Sequence, residues 1–178
     1  MKKQELAKEV ALGAHIKRDW RFAHGIWTGV KSAVWGQPIF RCYLTADQEN
    51  ITDSTDTKIE YNGITYDRIG AGLSSYGFPA PRTGAYFVTL NIMMKSLAAN
   101  CQVKSLIKVG STTKANVQGH TAIANNYSPP PATDIIEVDQ GDVIYGYVYH
   151  NSGTNNPDLL SNQTRTFMTI AWIGEQVS

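Results

Sequence analysis

The chain has 178 residues, 42% of them hydrophobic and 10% aromatic, with 16 Lys/Arg against 15 Asp/Glu for a formal net charge of +1. That length suits one domain of ordinary size with a short appendage, and the near-neutral balance argues against a nucleic-acid binder held by phosphate contacts, which carries a basic face. No apolar run reaches the ~20 residues of a membrane span, and the opening MKKQELAKEVALGAH scatters charges where the apolar stretch of a secretory signal would lie, so synthesis and folding are expected in a cytoplasm.

Residues 2 to about 17 are good helix formers with Leu6, Val10 and Ile16 near one face, and Gly13 weakens the pattern. A short N-terminal helix passes into an extended arm, because Gly25, Gly29 and Gly36 interrupt any helical period between Trp20 and Gly36. Residues 1–36 are read as an anchoring arm and 37–178 as the main domain. The arm holds three of the four tryptophans, Trp20, Trp27 and Trp35, with Phe22 and the basic residues Lys17, Arg18, Arg21 and Lys31. Aromatic side chains bury roughly 150–250 Å² each, so this set needs a cover. Three covers compete: the chain's own assembly, a larger particle with acidic groups opposite the lysines and arginines, or a membrane surface. Docking on a larger particle is the working expectation.

After Pro38 the sequence turns to short β-branched and aromatic runs punctuated by Gly, Asn, Asp, Ser and Pro, the signature of an antiparallel all-β domain. Strands are predicted at 39–46, 57–62, 85–95, 102–110, 134–140, 142–150 and 166–174, with shorter ones at 64–68 and 116–124. So many strands in one domain indicate a sandwich or jelly roll. In the strand at 142–150, Val143, Tyr145, Tyr147 and Tyr149 share one face while Ile144, Gly146, Val148 and His150 share the other. Both faces are largely apolar, so the second is expected to pack against another subunit.

The main catalytic templates are empty: there is no nucleophile elbow, phosphate loop, dinucleotide fingerprint or zinc-protease motif, and no enzyme is expected. His15, His24, His120 and His150 are scattered without ligand spacing, Cys42 and Cys101 are read as free thiols, and no metal or cofactor is expected. DSTDT at 53–57 reads as a polar turn, lacking the glycine and terminal glutamate of a calcium loop. NNYSPPPATD at 125–134 reads as a stiff segment displaying Tyr127, either a contact loop or a rigid strand connection, and NSGTNNPD at 151–158 as an exposed loop; Tyr127, Asn151 and Asn155 are candidate ligand contacts.

Residues 77–88, GFPAPRTGAYFV, resemble the G-x-F-x-x-P-x-x-G-x-Y-x-F stretch of the globular head of the complement first component, within the tumour necrosis factor-like superfamily. The matching residues are Gly77, Phe78, Pro81, Gly84, Tyr86 and Phe87, with a slight shift at the Gly-Phe end. PIFRCYLTAD is similar to the family's first strand, EVDQGDVIYGYVY to its Gly-Asp turn and long strand, and TRTFMTIAWIG to its last strand, so the likeness spans roughly residues 38–174. Phe167 is followed by Met168 and Thr169 where the family usually has a glycine two positions after the Phe.

The resemblance implies an antiparallel ten-stranded jelly roll forming a homotrimer, with Tyr86, Tyr145, Tyr147, Tyr149 and Phe167 as expected interface residues. Similar trimeric knobs occur on bacteriophage particles, and a cytoplasmically made knob with an aromatic leader fits that group. The expectation is a virion protein made in the host bacterial cytoplasm: a capsid decoration protein anchored through Lys17, Arg18, Trp20, Arg21, Phe22, Trp27 and Trp35. The runner-up is the receptor-binding knob of a tail needle or fibre. Expected partners are further copies of the chain, a major capsid or tail protein, and a host surface glycan or protein; nucleic acid and membrane insertion are not expected.

Overall fold

Alternation of apolar and polar residues, bounded by turn formers, places one face of each strand against a core and leaves the other outside. The computed structural model describes residues 39–153 and 156–175. The regular elements among these residues are thirteen strands: β1 Ile39–Tyr43, β2 Thr57–Lys58, β3 Gly63–Asp67, β4 Phe78–Pro79, β5 Gly84–Asn91, β6 Met94–Leu97, β7 Gln102–Val109, β8 Thr112–His120, β9 Asn125–Tyr127, β10 Ala132–Val138, β11 Val143–His150, β12 Asp158–Leu159 and β13 Phe167–Gly174.

They form one five-stranded sheet in the order β10-β5-β13-β1-β3, a second in the order β2-β11-β7-β8 with β4 also on β11, and a small sheet β12-β6-β9. Pairing is antiparallel throughout. The fold is the expected antiparallel jelly roll, with more strands than the ten expected. The arm at 1–36 lies outside the described residues.

The inward faces of the two large sheets make the core. Phe40 and Cys42 of β1, Tyr86, Val88 and Leu90 of β5, Val103 and Ile107 of β7, Ile144 and Val148 of β11, and Met168 and Ile170 of β13 are all buried. Burying each larger side chain stabilises the fold by roughly 1.5–3 kcal/mol. Phe78 stacks on Phe40 at 4.7 Å between ring centroids and meets Tyr86 edge-on at 6.2 Å. Burial in β1 pushes the Cys42 thiol far above its ordinary value. Cys42 and Cys101 are both buried and free.

The GFPAPRTGAYFV segment shows what each motif residue does. Gly77 lies against Tyr145, where a Cβ would come within 2.5 Å of the ring and 2.7 Å of the Ile144 carbonyl. Gly84 has φ +147°, and a Cβ there would strike the Gly174 carbonyl and lie 2.6 Å from Trp172 Nε1. The Tyr86 hydroxyl donates to the Arg82 carbonyl at 2.6 Å, closing the turn before β5. The motif's aromatics do not all enter the core: Phe78 and Tyr86 are fully buried, whereas Phe87 is 40% exposed, because neighbouring strand residues face opposite ways.

One predicted strand, 85–95, is two strands. The chain leaves the large sheet at Met93, whose N–H donates to Thr166 Oγ1 and whose carbonyl accepts from the Leu160 N–H. In the small sheet that follows, Lys95 of β6 pairs with Asp47 at 2.9 Å and Asp158 at 3.3 Å. The hydrogen bond from Lys95, followed by that from the Ser161 N–H, holds the Asp47 carboxyl down at about 2.

Two outcomes follow. Gly84→Ala is expected to destabilise by about 2–4 kcal/mol through φ strain and overpacking, whereas Gly110→Ala, at φ +57° with open space around it, costs about 1 kcal/mol from strain alone; urea unfolding midpoints measure both. Because the folded Asp47 value lies below the unfolded one, its stabilising contribution is complete above about pH 4 and disappears as pH falls toward 2. Asp47→Asn should therefore lower the melting temperature at neutral pH and flatten its fall between about pH 4 and pH 2.

Candidate functional site

The outward face of the five-stranded sheet is built in cross-strand rows. Antiparallel register sets Ile135 of β10 beside Phe87 of β5, Phe87 beside Ala171 of β13, and Ala171 beside Ile39 of β1, a continuous apolar row over four strands. Ile135 is 59% exposed. The next row runs Thr133, Thr89, Thr169, Arg41 and Tyr66, and Tyr66 is 60% exposed. Arg41, within that second row, lies 3.9 Å over the Phe167 ring, and Glu137 stands on the edge strand β10 beside Ala85. Between these two charges the face is aliphatic, aromatic and threonine.

The outward face of the four-stranded sheet is of another kind. Tyr145, Tyr147 and Tyr149 project from β11, directly opposite Lys108, Leu106 and Lys104 of β7, while Lys58 of β2 flanks Tyr147 on the other side. Each ring carries one ammonium over its face: Lys58 over Tyr145 at 4.2 Å, Lys108 over Tyr147 at 4.4 Å and Lys104 over Tyr149 at 4.5 Å. Such contacts are worth roughly 0.5–1 kcal/mol each at exposed sites. Lys108 also pairs with Asp56 at 2.7 Å, whereas Lys58 and Lys104 meet no carboxylate among the described residues. Asn116 and Gln118 of β8 lie outward beyond Leu106 and Lys104.

The five residues expected at a subunit interface do not form one surface. Tyr86 is fully buried within its own subunit, on the Val88 and Leu90 side of β5, and has no surface to offer. Phe167 lies on the outward face of the five-stranded sheet, and Tyr145, Tyr147 and Tyr149 on that of the other sheet. The tyrosines are partly covered by lysines of the same chain, so this face is less apolar than the tyrosine pattern of β11 alone suggests.

Tyr127 is not displayed on a stiff loop. It pairs with Met94 across the small sheet and packs on the core, with its hydroxyl against Gly119. Asn151 is exposed, yet its side-chain oxygen accepts from the Gln102 N–H at 2.6 Å, capping the start of β7. Asn155 and the arm residues Lys17, Arg18, Trp20, Arg21, Phe22, Trp27 and Trp35 lie outside the described residues. Asp53 and Asp56 of the DSTDT turn diverge, Asp53 accepting from the Gly153 N–H and Asp56 pairing with Lys108.

His150 is fully buried at the end of β11. A carbonyl only accepts, so Nε2 donates to Ile51 at 2.8 Å, and Nδ1 lies 2.8 Å from Ser152 Oγ and 3.4 Å from Asp53 Oδ1. Asp53 and Ser152 meet the same ring nitrogen, so the three do not relay a proton across the imidazole as a hydrolytic triad does; they clasp two loops together. The functional residues missed from sequence are Lys58, Lys104 and Lys108. Alternation puts Lys104 and Lys108 on one face of their strand, and the cross-strand register that joins them to the tyrosines is not written in either strand alone.

No protein-family profile matches the sequence, and no curated protein matches it. Solved structures do. Eiger, a tumour necrosis factor from S. frugiperda, matches with TM-score 0.57 and 10% identity over 80% of this chain and 94% of its own. Murine APRIL matches with TM-score 0.57 and 11% identity over 77% of this chain and 99% of its own. The globular domain of zebrafish complement 1qA protein matches with TM-score 0.51 and 8% identity over 78% of this chain and 99% of its own. The chain therefore has the jelly-roll fold shared by tumour necrosis factor-like proteins and complement globular heads.

Proposed function

We propose that the chain is a non-enzymatic knob that self-associates as a homotrimer and is carried on a phage particle by its N-terminal arm. The observation that supports self-association is the outward face of the five-stranded sheet. A row of Ile135, Phe87, Ala171 and Ile39 beside a row of threonines is an apolar strip with little charge, suited to another protein surface rather than to water. The fold itself fits an assembly role, and the trimeric number is what the family resemblance implies. A second copy is the occupant this face suits, because its rows carry only two charges among the described residues, Arg41 lying over the Phe167 ring and Glu137 on the edge strand β10.

The particle assignment rests on the arm's composition. Three tryptophans and Phe22 supply interface anchors, and Lys17, Arg18 and Arg21 supply partners for acidic groups. On a capsid such a knob bridges neighbouring subunits and adds contact area that resists expansion.

Sedimentation equilibrium of the full chain is expected to give a trimer, and Phe87→Glu with Ile135→Glu a folded monomer, since both side chains already face outward. A monomeric wild type rules out the self-association proposal. Removing residues 1–36 is expected to leave a folded trimer that no longer attaches to particles. Many copies per particle identify a decoration protein; few copies, with cell binding by the isolated knob, identify the tail reading.

A further inference from the structure

We propose that the tyrosine and lysine face of the four-stranded sheet binds an acidic polysaccharide in which uronic acids alternate with neutral sugars. Lys58 and Lys104 are positive groups without a carboxylate partner among the described residues, and each is pinned over a tyrosine ring instead of sweeping through solvent. Pinning settles in advance part of the side-chain entropy that binding an anion costs. Lys58 and Lys104 lie on either side of β11, beside Tyr147 and Tyr149, two strand spacings across and two residues along, so their Cα atoms are about 12 Å apart. The site is therefore sparse in charge, with Tyr147 and Tyr149 between the two lysines.

The same geometry narrows the occupant. An ammonium already covers one face of each tyrosine, and Tyr145 has Gly77 packed against its ring, so the rings do not offer the open platforms on which nucleic-acid bases stack. The chain's own arm is excluded by charge, because residues 1–34 carry seven Lys/Arg against three acids. What the face presents is the ammonium groups of Lys58 and Lys104, a third ammonium on Lys108 already met by the Asp56 carboxylate, the tyrosines, and the side-chain amides of Asn116 and Gln118, which both donate and accept. Widely spaced carboxylates meet the ammonium groups, and sugar hydroxyls between them meet the phenols and amides. A densely sulfated chain would need clustered cations, which this face lacks.

The test is calorimetric titration of the full chain with hyaluronan octasaccharide, in which glucuronate alternates with N-acetylglucosamine. Saturable binding that weakens with added salt is expected, and Lys58→Gln with Lys104→Gln should weaken it by about tenfold or more. Circular dichroism and sedimentation of that variant should match the wild type. The face is complete within one subunit, so the Phe87→Glu, Ile135→Glu chain is expected to bind equally well; loss of binding there would refute a single-subunit site. Failure of the trimer reading is seen in sedimentation, and failure of this inference in the titration. No saturable binding, binding undiminished in the lysine variant, or equal binding of neutral dextran overturns the proposal. So does tighter binding of poly-glutamate, which would make the partner an acidic polypeptide, or of oligothymidylate, which would make it a nucleic acid.

Discussion

Because Tyr86 points into the core, Phe87 has to point out of it, and antiparallel pairing hands that choice on to Ile135 on one side and Ala171 on the other. The turn before β5 fixes the choice. Gly84 passes under the Gly174 carbonyl where no Cβ fits, and the Tyr86 hydroxyl reaches back to Arg82. A slip of one residue would turn Val88 and Leu90 to water and drive Thr89 and Asn91 into the core. Everything outward on the five-stranded sheet is thus a by-product of what the inward side demands.

The two large sheets consequently present unlike outer faces on one small scaffold. One is nearly uncharged and built from aliphatic, aromatic and threonine rows. The other is cationic, a lysine ammonium lying over each of its three tyrosine rings. A knob that used both could hold its own copies through the first face while keeping the second for a soluble or surface-bound anion. The loops between the sheets are meanwhile tied down: His150 joins the segment after β11 to the segment before β2, and Lys95 joins the small sheet to Asp47.

Much of the fold was legible because strand alternation is a local signal. The long strands fall within a few residues of their expected bounds, and the GFPAPRTGAYFV resemblance leads to the right jelly-roll fold. Of the three two-residue strands, β2 falls at the start of the run expected at 57–62, whereas β4 and β12 sit in no alternating run and were not legible. The break at Met93 was hidden because its cause, Thr166, lies 73 positions away. The expected interface residues lie on separate surfaces for a related reason. Sequence shows that the tyrosines of β11 share a face, but only the fold shows three lysines from other strands lying over them, and only the parity of β5 separates Tyr86 from Phe87. The candidate binding face was invisible because its parts come from separate stretches of the chain.

The burial of Cys42 has a chemical corollary. With its thiol kept protonated and sealed between the sheets, and Cys101 enclosed likewise, neither sulfur meets a dissolved electrophile while the domain is closed. Alkylation of Cys42 then proceeds only as fast as the barrel-like sandwich breathes apart, so a thiol reagent in the surrounding solution reads the opening of β1 from its neighbours without any label having been engineered into the chain.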